Sequence, residues 1–121
     1  MPDAAPAADL ITVSAAVSAL NVAYWREVDQ NLGRRAHEFF VEHGTEYTIQ
    51  DKTLKGREAI RDFYAWRVRR GVRTSRHCSL NLHFEAIARD RATAEWTLLL
   101  YAAAIAGRRE TAWRGRMATG L

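Results

Sequence analysis

Three side chains in this sequence have the chemistry for proton transfer, and they are Tyr24, Asp29 and His77. Histidine titrates near neutral pH, so its imidazole can take a proton from a substrate and give it back. Asp29 falls in the last turn of a predicted helix, where the negative end of the helix dipole disfavours a carboxylate by about 0.3–1 kcal/mol. Unless other groups offset this effect, we expect it to raise the pKa of Asp29 and make it a better base. Tyr24 lies on the apolar stripe of the same helix.

Each of these residues also has an interpretation that involves no chemistry. Asp29 can be a solvated carboxylate paired with Arg26 or Arg34, and His77 can be a solvated residue on the polar face of a strand. Tyr24 can be a core aromatic residue whose hydroxyl is satisfied internally. The residue types alone leave the structural and the catalytic interpretations open.

Metal and nucleophile chemistry have little support in the sequence. The single cysteine, Cys78, alternates onto the apolar face of its strand, which is typical of an inert buried thiol. His77 and His83 are six residues apart, about 20 Å along a strand, so they cannot share a metal ion. The sequence contains no nucleophile elbow, phosphate-binding loop or dinucleotide fingerprint. We therefore expect no metal and no cofactor.

The composition is that of one globular domain. The chain has 121 residues, of which 48% are hydrophobic and 26% charged, and this excludes a wholly disordered or fibrous chain. We expect a disordered arm over residues 1–8 and a single domain over residues 9–121. No apolar run reaches the roughly 20 residues of a membrane span. One cysteine excludes an intrachain disulfide and favours a cytoplasmic setting.

The net charge of +4 comes from 18 basic and 14 acidic residues. Five arginines lie between residues 67 and 76, a cluster that suggests a nucleic-acid surface. Acidic neighbours, and the lack of a glycine-rich or aromatic stacking signature, favour a solvated helix end instead. We expect neither nucleic acid nor membrane as a partner, although the basic excess can favour an acidic ligand.

Hydrophobic periodicity predicts the elements that must hold the three side chains. Apolar residues recur every three or four positions in three segments, which predicts helices over residues 9–30, 34–41 and 57–70. Asp9 is the expected N-cap of the first helix, and Asn31 and Gly33 are its expected stop signals. Residues 46–50 are rich in β-formers and predict a short strand, whereas residues 51–55 predict a polar connection.

From residue 76 onward the pattern changes to alternation, which predicts long antiparallel strands. The even positions from 78 to 86 are apolar, and the odd positions from 77 to 85 are polar. The expected elements after this strand are a turn at Asp90-Arg91, a strand over residues 92–105, a turn over 107–109 and a weaker strand over 111–117. The strand that begins at residue 92 is apolar on both faces from Leu98 onward, so we expect that half to be buried on both sides. Helices followed by hairpins indicate an α+β fold with the helices packed on one face of a sheet.

Four segments of the chain together resemble a known family. They are Tyr24-x4-Asp29 in the first helix, Phe39-Phe40 in the second, Lys55-Gly56-Arg57-Glu58-Ala59-Ile60 at the start of the third, and Arg76-His77-x3-Asn81 in the long strand. Over residues 16–101 the chain is similar to the SnoaL-like branch of the nuclear transport factor 2-like superfamily. The last two segments, in this order, are fairly specific for that branch and are weak evidence for any one activity.

The resemblance implies a fold and a site. The fold is an α+β cone, in which a strongly bent mixed sheet and three helices enclose a deep, mostly apolar pocket. In the dehydratase and dehydrochlorinase members, an Asp of the first helix and a His of the long strand form a catalytic dyad, which matches Asp29 and His77 here. The bile-acid dehydratases add a tyrosine that matches Tyr24. The side chains expected to bind the substrate are Trp25, Phe40, Tyr47, Phe63, Asn81, Trp96 and Leu98.

The resemblance also implies a function. We expect a cofactor-independent lyase, similar to dehydratases, or an isomerase, acting on a hydrophobic cyclic molecule that resembles a steroid, a polyketide or an aromatic compound. His77 would be the general base, Asp29 would orient it, and Tyr24 would donate a hydrogen bond to developing negative charge. The alternative is a non-catalytic protein that binds a small ligand, or an accessory subunit similar to the small subunit of ring-hydroxylating dioxygenases. Members of the family pair through the sheet, so we expect a homodimer or homotrimer.

Two features depart from that family. Alternation places His77 on the strand face opposite Cys78 and Leu80, so the dyad fails if that apolar face lines the pocket. A sheet buried on both faces, or a β-bulge that re-aims the histidine, would remove the conflict. The family also has a further closing strand, often followed by a tryptophan, whereas this sequence ends soon after Trp113 and carries Met117 where an aromatic residue is common. We therefore expect a sheet that lacks an edge strand, or one that a partner completes.

Overall fold

The computed structural model describes residues 7–104 and 107–120, which form an α+β fold with two antiparallel sheets. The elements in chain order are α1 (Ala7–Asn31), a 3-10 helix (Ala36–Phe39), β1 (Glu46–Ile49), β2 (Lys52–Lys55), α2 (Arg57–Arg69), β3 (Thr74–Ile87), β4 (Arg91–Ala104) and β5 (Gly107–Gly120). β1 pairs with β2, and the larger sheet has the order β3-β4-β5. The predicted helix over residues 34–41 is only the short 3-10 helix, so the described chain contains two α-helices rather than three.

The first helix differs from its prediction at the N-terminal end and agrees with it at the C-terminal end. It begins at Ala7, so Asp9 lies in its first turn and is not the N-cap that the sequence predicts. The carboxylate still complements the helix dipole there. The predicted stop is confirmed: the helix ends at Asn31, and both Leu32 (φ 60°) and Gly33 (φ 73°) then adopt the left-handed conformation. Residues 1–6 of the predicted arm lie outside the described residues.

The predicted polar connection over residues 51–55 is wrong, because Lys52–Lys55 is a strand. It pairs with Glu46–Ile49 in an antiparallel hairpin whose register sets Tyr47 opposite Leu54. Gln50 takes a positive φ of 52° in the connecting turn, which allows the chain to reverse within two residues. A four-residue strand made of two lysines, a threonine and a leucine carries too little alternation to be recognised from sequence alone.

A bulge in β3 resolves the conflict over which face His77 occupies. Leu80 pairs with Thr97 and His83 pairs with Glu95, so β3 uses one more residue than β4 between these two pairs. Asn81 lies in this interval with a φ of 55°, as expected for the extra residue of a bulge.

The bulge reverses the alternation between its two sides. Before it, the odd residues Ser75, His77 and Ser79 face α1 and bond to its side chains. After it, the even residues Leu82 and Phe84 pack into the core. The even positions therefore do not share one apolar face: Cys78 and Leu80 precede the bulge and face outward, and Leu80 is 43% exposed. A second irregularity between Phe84 and Ala86 shifts the register again and brings Ile87 into the core.

Strand β4 alternates throughout and corrects a second expectation. The buried positions are Ala92, Ala94, Trp96, Leu98 and Leu100. Burial of both faces beyond Leu98 is wrong for the single chain, because Leu99 is only partly buried and Tyr101 is 47% exposed.

The last two elements also differ from their predicted limits. β4 begins at Arg91, which the sequence assigns to a turn. β5 is longer than residues 111–117, because it pairs with β4 from Gly107 to Gly120 and so includes the predicted turn over residues 107–109. Residues 105–106 lie outside the described part.

The core consists of two clusters that lie under α1. The larger one holds buried side chains from both α-helices, the 3-10 helix and β4, namely Tyr24, Trp25, Ala36, Ile60, Tyr64, Trp96 and Leu98. The smaller one joins the start of α1 to β4 through Val13, Val17, Ala92 and Ala94. Since the larger cluster contains Tyr24 and lies next to the end of α1, the same packing positions both the core and the candidate site.

We expect Gly33→Ala to destabilise the fold more than Gly44→Ala. The two glycines have similar backbone conformations, but Gly33 lies against a side chain and Gly44 does not. Both have positive φ, 73° and 78°, so an alanine costs about 1–2 kcal/mol at either position. At Gly33 a Cβ would also lie 2.8 Å from ring atoms of Tyr64, whereas nothing lies within 4 Å at Gly44. This overpacking adds about 1–3 kcal/mol. Urea unfolding of both variants measures the difference, and equal losses would contradict the close contact with Tyr64.

Candidate active site

The carboxylate of Asp29 is the centre of a hydrogen-bond network that joins the end of α1 to the start of β3. The Ser75 hydroxyl donates to Asp29 Oδ1 at 2.8 Å, and the backbone N–H of His77 donates to Oδ2 at 2.8 Å. The His77 ring nitrogen Nδ1 lies 2.6 Å from Oδ1. The side chains of His77 and Asp29 are only 11% and 7% exposed. The two residues that the sequence suggests as a pair are therefore in direct contact.

These bonds keep Asp29 ionised. Burial alone raises the pKa of the Asp29 carboxyl, but the hydrogen bonds from the His77 ring, the His77 backbone and the Ser75 hydroxyl outweigh it and lower the pKa below its ordinary value. The expectation of a raised pKa from the helix dipole is wrong for this reason. Arg26 and Arg34 do not pair with Asp29, since they bond instead to the Gln30 side chain and the Asn31 carbonyl.

An ionised Asp29 fixes the proton on the His77 ring. A carboxylate can only accept, so Nδ1 carries the hydrogen of their bond, and in the neutral ring the lone pair is on Nε2. The imidazole lies flat on the Trp25 indole, with ring centroids 4.2 Å apart and planes tilted by 11°. The ring also lines a cavity between α1, α2, β1 and β4 that is rich in aromatic side chains. His77 is therefore held by two contacts while its basic nitrogen stays available.

Tyrosine hydroxyls supply donors on the same cavity. The hydroxyls of Tyr24 and Tyr64 lie 2.5 Å apart and are buried. Burial is the main cause that raises the pKa of both residues well above the ordinary value, and the pKa of Tyr47 is also raised by burial. All three phenols therefore stay protonated as donors. Tyr64 is not among the site residues that the sequence predicts, because no spacing signal links it to Tyr24.

A cavity of about 570 Å³ adjoins these groups, which is within the usual range for a small-molecule site. Six of the side chains expected to bind substrate line this cavity: Trp25, Phe40, Tyr47, Phe63, Trp96 and Leu98. The catalytic candidates Tyr24 and His77 line it as well. Asn81 does not line it. Asn81 is exposed at the bulge of β3, so we withdraw it from the site.

The described residues contain neither a metal-ligand cluster nor a membrane-spanning helix. They contain no group of three or more His, Cys, Asp or Glu side chains that could hold a metal ion. No helix among them is long and apolar enough to cross a membrane. The expectation that the protein uses no cofactor stays a prediction.

Comparison with known proteins places the fold. A family model described as a SnoaL-like domain matches residues 10–119. Similar solved structures include a Catenulispora acidiphila protein in complex with S-DNPA, which is 17% identical with a TM-score of 0.74 over 89% of this chain and 81% of that one. No curated protein sequence matches this chain.

Two further structures are similar over most of their length. A Novosphingobium aromaticivorans protein described as a candidate scytalone dehydratase is 16% identical, with a TM-score of 0.76 over 92% of this chain and 74% of that one. The β subunit of benzoate 1,2-dioxygenase from Burkholderia mallei is 14% identical, with a TM-score of 0.70 over 88% and 78%. At these identities the likeness shows the fold alone, which is the NTF2-like α+β fold.

We expect Asp29→Asn to remove an acid-sensitive part of the stability. The pKa of Asp29 is lower in the folded than in the unfolded chain, so its contribution is complete above the ordinary value of 3.8 and is lost as the pH falls through the folded value. At pH 7 the variant lacks a charge-assisted bond and should lose about 1–3 kcal/mol. Urea unfolding from pH 7 to pH 3 measures the loss.

The difference between wild type and Asp29→Asn should shrink toward pH 3. Asp62→Asn is the matched control, because the Asp62 side chain is 76% exposed on α2 and its loss should leave stability nearly unchanged. A difference for Asp29→Asn that does not vary with pH would contradict the assigned pKa direction.

Proposed function

The chain belongs to the SnoaL-like domain family, and from this membership and the geometry of the site we propose that it is a lyase or an isomerase. Its substrate would be a hydrophobic cyclic molecule that loses a proton next to a carbonyl group. The observation that carries the proposal is the 2.6 Å hydrogen bond between Asp29 and His77, whose ring lines the aromatic cavity. Such an arrangement is the usual way to make a histidine a general base.

The first step transfers a proton from substrate carbon to His77 Nε2. The electrons of the broken C–H bond form an enolate, and its oxygen accepts a hydrogen bond from Tyr24 or Tyr64. Because both phenols have raised pKa values, they donate without losing their protons. Asp29 stabilises the imidazolium that forms, since its carboxylate stays ionised and in contact with Nδ1.

The second step decides between the two reaction classes. In a lyase, the enolate re-forms the carbonyl as a β-hydroxyl group leaves, and the imidazolium gives its proton to that group so that water is released. In an isomerase, the substrate carries a C=C bond next to the carbon that loses its proton, so a dienolate forms. The imidazolium then returns the proton to the far carbon of that bond, and the double bond moves into conjugation with the re-formed carbonyl. Both routes restore neutral His77 and use only side chains of this protein.

The cone is part of this proposal. Trp96, Leu98 and Leu100 of β4 line the cavity from the larger sheet, whereas Tyr47 of β1 and Phe63 of α2 line it from the other side. This distribution supports a larger sheet that curves around the cavity, with the β1–β2 hairpin and the helices closing it. Apolar walls of this kind exclude water and strengthen hydrogen bonds made inside.

The outer face of the larger sheet supports self-association. Cys78, Leu80, Leu99 and Tyr101 share this face, because Cys78 pairs with Leu99 and both Leu80 and Tyr101 are well exposed. We propose that a second copy of the chain covers it, as a dimer or a trimer. The same face favours the alternative function, an accessory subunit, given the likeness in fold to a dioxygenase β subunit.

We expect His77→Ala to abolish proton abstraction while leaving the fold intact. The assay follows exchange of the acidic hydrogens of 2-tetralone for deuterium in D2O by NMR, because this reports proton removal next to a carbonyl without requiring the natural substrate. Loss of a general base should lower the catalysed exchange rate by about 100-fold or more.

His83→Ala is the control for this experiment. His83 lies on the same strand, exposed and beyond the bulge, so its removal should leave the exchange rate unchanged. Equal exchange by wild type and His77→Ala would reject the catalytic assignment. Ligand binding without any exchange by the wild type would favour the non-catalytic alternative.

We expect Leu80→Glu combined with Tyr101→Glu to dissociate the assembly, because two charges would replace two exposed hydrophobic side chains of the outer face. Light scattering during size-exclusion chromatography should give a multiple of the chain mass for the wild type and the single-chain mass for the variant. Val41→Glu is the control, since Val41 is 55% exposed but lies outside the sheet. A monomeric wild type would contradict the proposed interface.

A further inference from the structure

Two arginines belong to the lining of the aromatic cavity. Arg67 lies in the last turn of α2, and Arg73 lies just before the first residue of β3. Both side chains are partly buried rather than fully exposed. The proposed reaction uses neither of them, so their presence in an otherwise aromatic cavity needs a separate explanation.

Among residues 9–103, neither guanidinium has a carboxylate partner. Arg61, on the same helix as Arg67, pairs with Glu58. Arg67 instead lies over the Phe63 ring, 6.0 Å from its centroid. Among the described lining residues, the single acidic side chain is Glu46, and it is exposed on β1. Positive charge therefore exceeds negative charge along this lining.

A partly buried cation without a counter-ion favours binding of an anion. It has lost part of its hydration, and a ligand carboxylate can replace that hydration with charge-assisted hydrogen bonds. The planar guanidinium suits a carboxylate in particular, because two of its N–H groups can bond to the two oxygens at once. Two such groups on one cavity make recognition of a carboxylate more specific than recognition by one.

We propose that the ligand of this cavity is an amphipathic acid, whose ring system packs among the aromatic side chains and whose carboxylate binds Arg67 and Arg73. This proposal rests on the proposed function, because it names the substrate class of the same site. Arg73 precedes His77 by four residues, so their Cα atoms are at most about 14 Å apart. A skeleton of two or three rings with a short acidic side chain spans such a distance. One end of the ligand is then held by charge while the other end lies beside His77.

The test compares two ligands that differ only in charge. Isothermal titration calorimetry at pH 7 measures the binding of 2-naphthylacetic acid and of 2-naphthylacetamide to the wild type. Charge-assisted bonds to two arginines should make the acid bind at least about 10-fold more tightly than the amide. In the double variant Arg67→Gln, Arg73→Gln the acid should bind as weakly as the amide. The affinity for the amide should not change, which also reports that the variant is folded.

Arg69→Gln is the matched control. Arg69 is exposed on α2 and does not line the cavity, so the variant loses one positive charge but should keep the preference for the acid. Equal affinities for acid and amide in the wild type, or a preference that survives in the double variant, would overturn the proposal.

The outcomes separate this proposal from the proposed function. A preference for the acid that depends on the two arginines, together with deuterium exchange that ignores His77→Ala, would support the acid site and reject the catalytic role. Equal binding of both ligands, together with deuterium exchange that depends on His77, would reject the acid site and support the catalytic role. Absence of binding by both ligands would overturn the proposed ligand class.

Discussion

The carboxylate of Asp29 is the constraint on which the rest of the site depends. It accepts hydrogen bonds from the Ser75 hydroxyl and from the backbone and ring of His77, so it fixes where β3 starts relative to the end of α1. The same bonds lower its pKa and set the tautomer of the imidazole. The position of the candidate base and the location of the proton on its neutral ring therefore follow from one group. Without these hydrogen bonds, the negative end of the helix dipole would raise the pKa of the Asp29 carboxyl instead of lowering it.

The hydrogen bonds to Asp29 require a change of side-chain alternation further along β3. If polar residues face the helix at positions 75, 77 and 79, regular alternation would place Asn81 and His83 against the apolar core. The bulge at Asn81 inserts one residue and turns Leu82 and Phe84 inward instead. One strand thus serves two environments, a polar site at its start and an apolar core after it, and the residue between them takes a left-handed φ of 55°. An asparagine tolerates that conformation better than most residues do.

What could be predicted from sequence depended on whether the signal was local. Hydrophobic periodicity predicts the extent of α1, and Gly33, which adopts a positive φ, marks its end. The motif resemblance predicts Tyr24, Asp29 and His77 as the catalytic residues. A bulge is one of the two solutions that the sequence analysis offers for His77, but the sequence could not decide between them, because the alternating pattern of β3 looks the same with or without an extra residue. The direction of the Asp29 pKa shift and the contact between Tyr24 and Tyr64 depend on residues 40 or more positions apart, which no local pattern contains. The hairpin strand Lys52–Lys55 is too short and polar to be distinguished from a loop.

The hydroxyl contact between Tyr24 and Tyr64 has a consequence for how the cavity meets its ligand. Two phenols have two hydrogens, and their mutual bond uses one of them, so the pair offers one hydrogen to a third atom. Rotation of both hydroxyls reverses the direction of this short chain and moves the available hydrogen from one oxygen to the other. The oxygen that accepts this hydrogen, whether of the ligand or of the neighbouring Tyr47 hydroxyl, sets that direction by where it lies. The pair can therefore serve oxygens at two positions with one hydrogen, without moving any heavy atom.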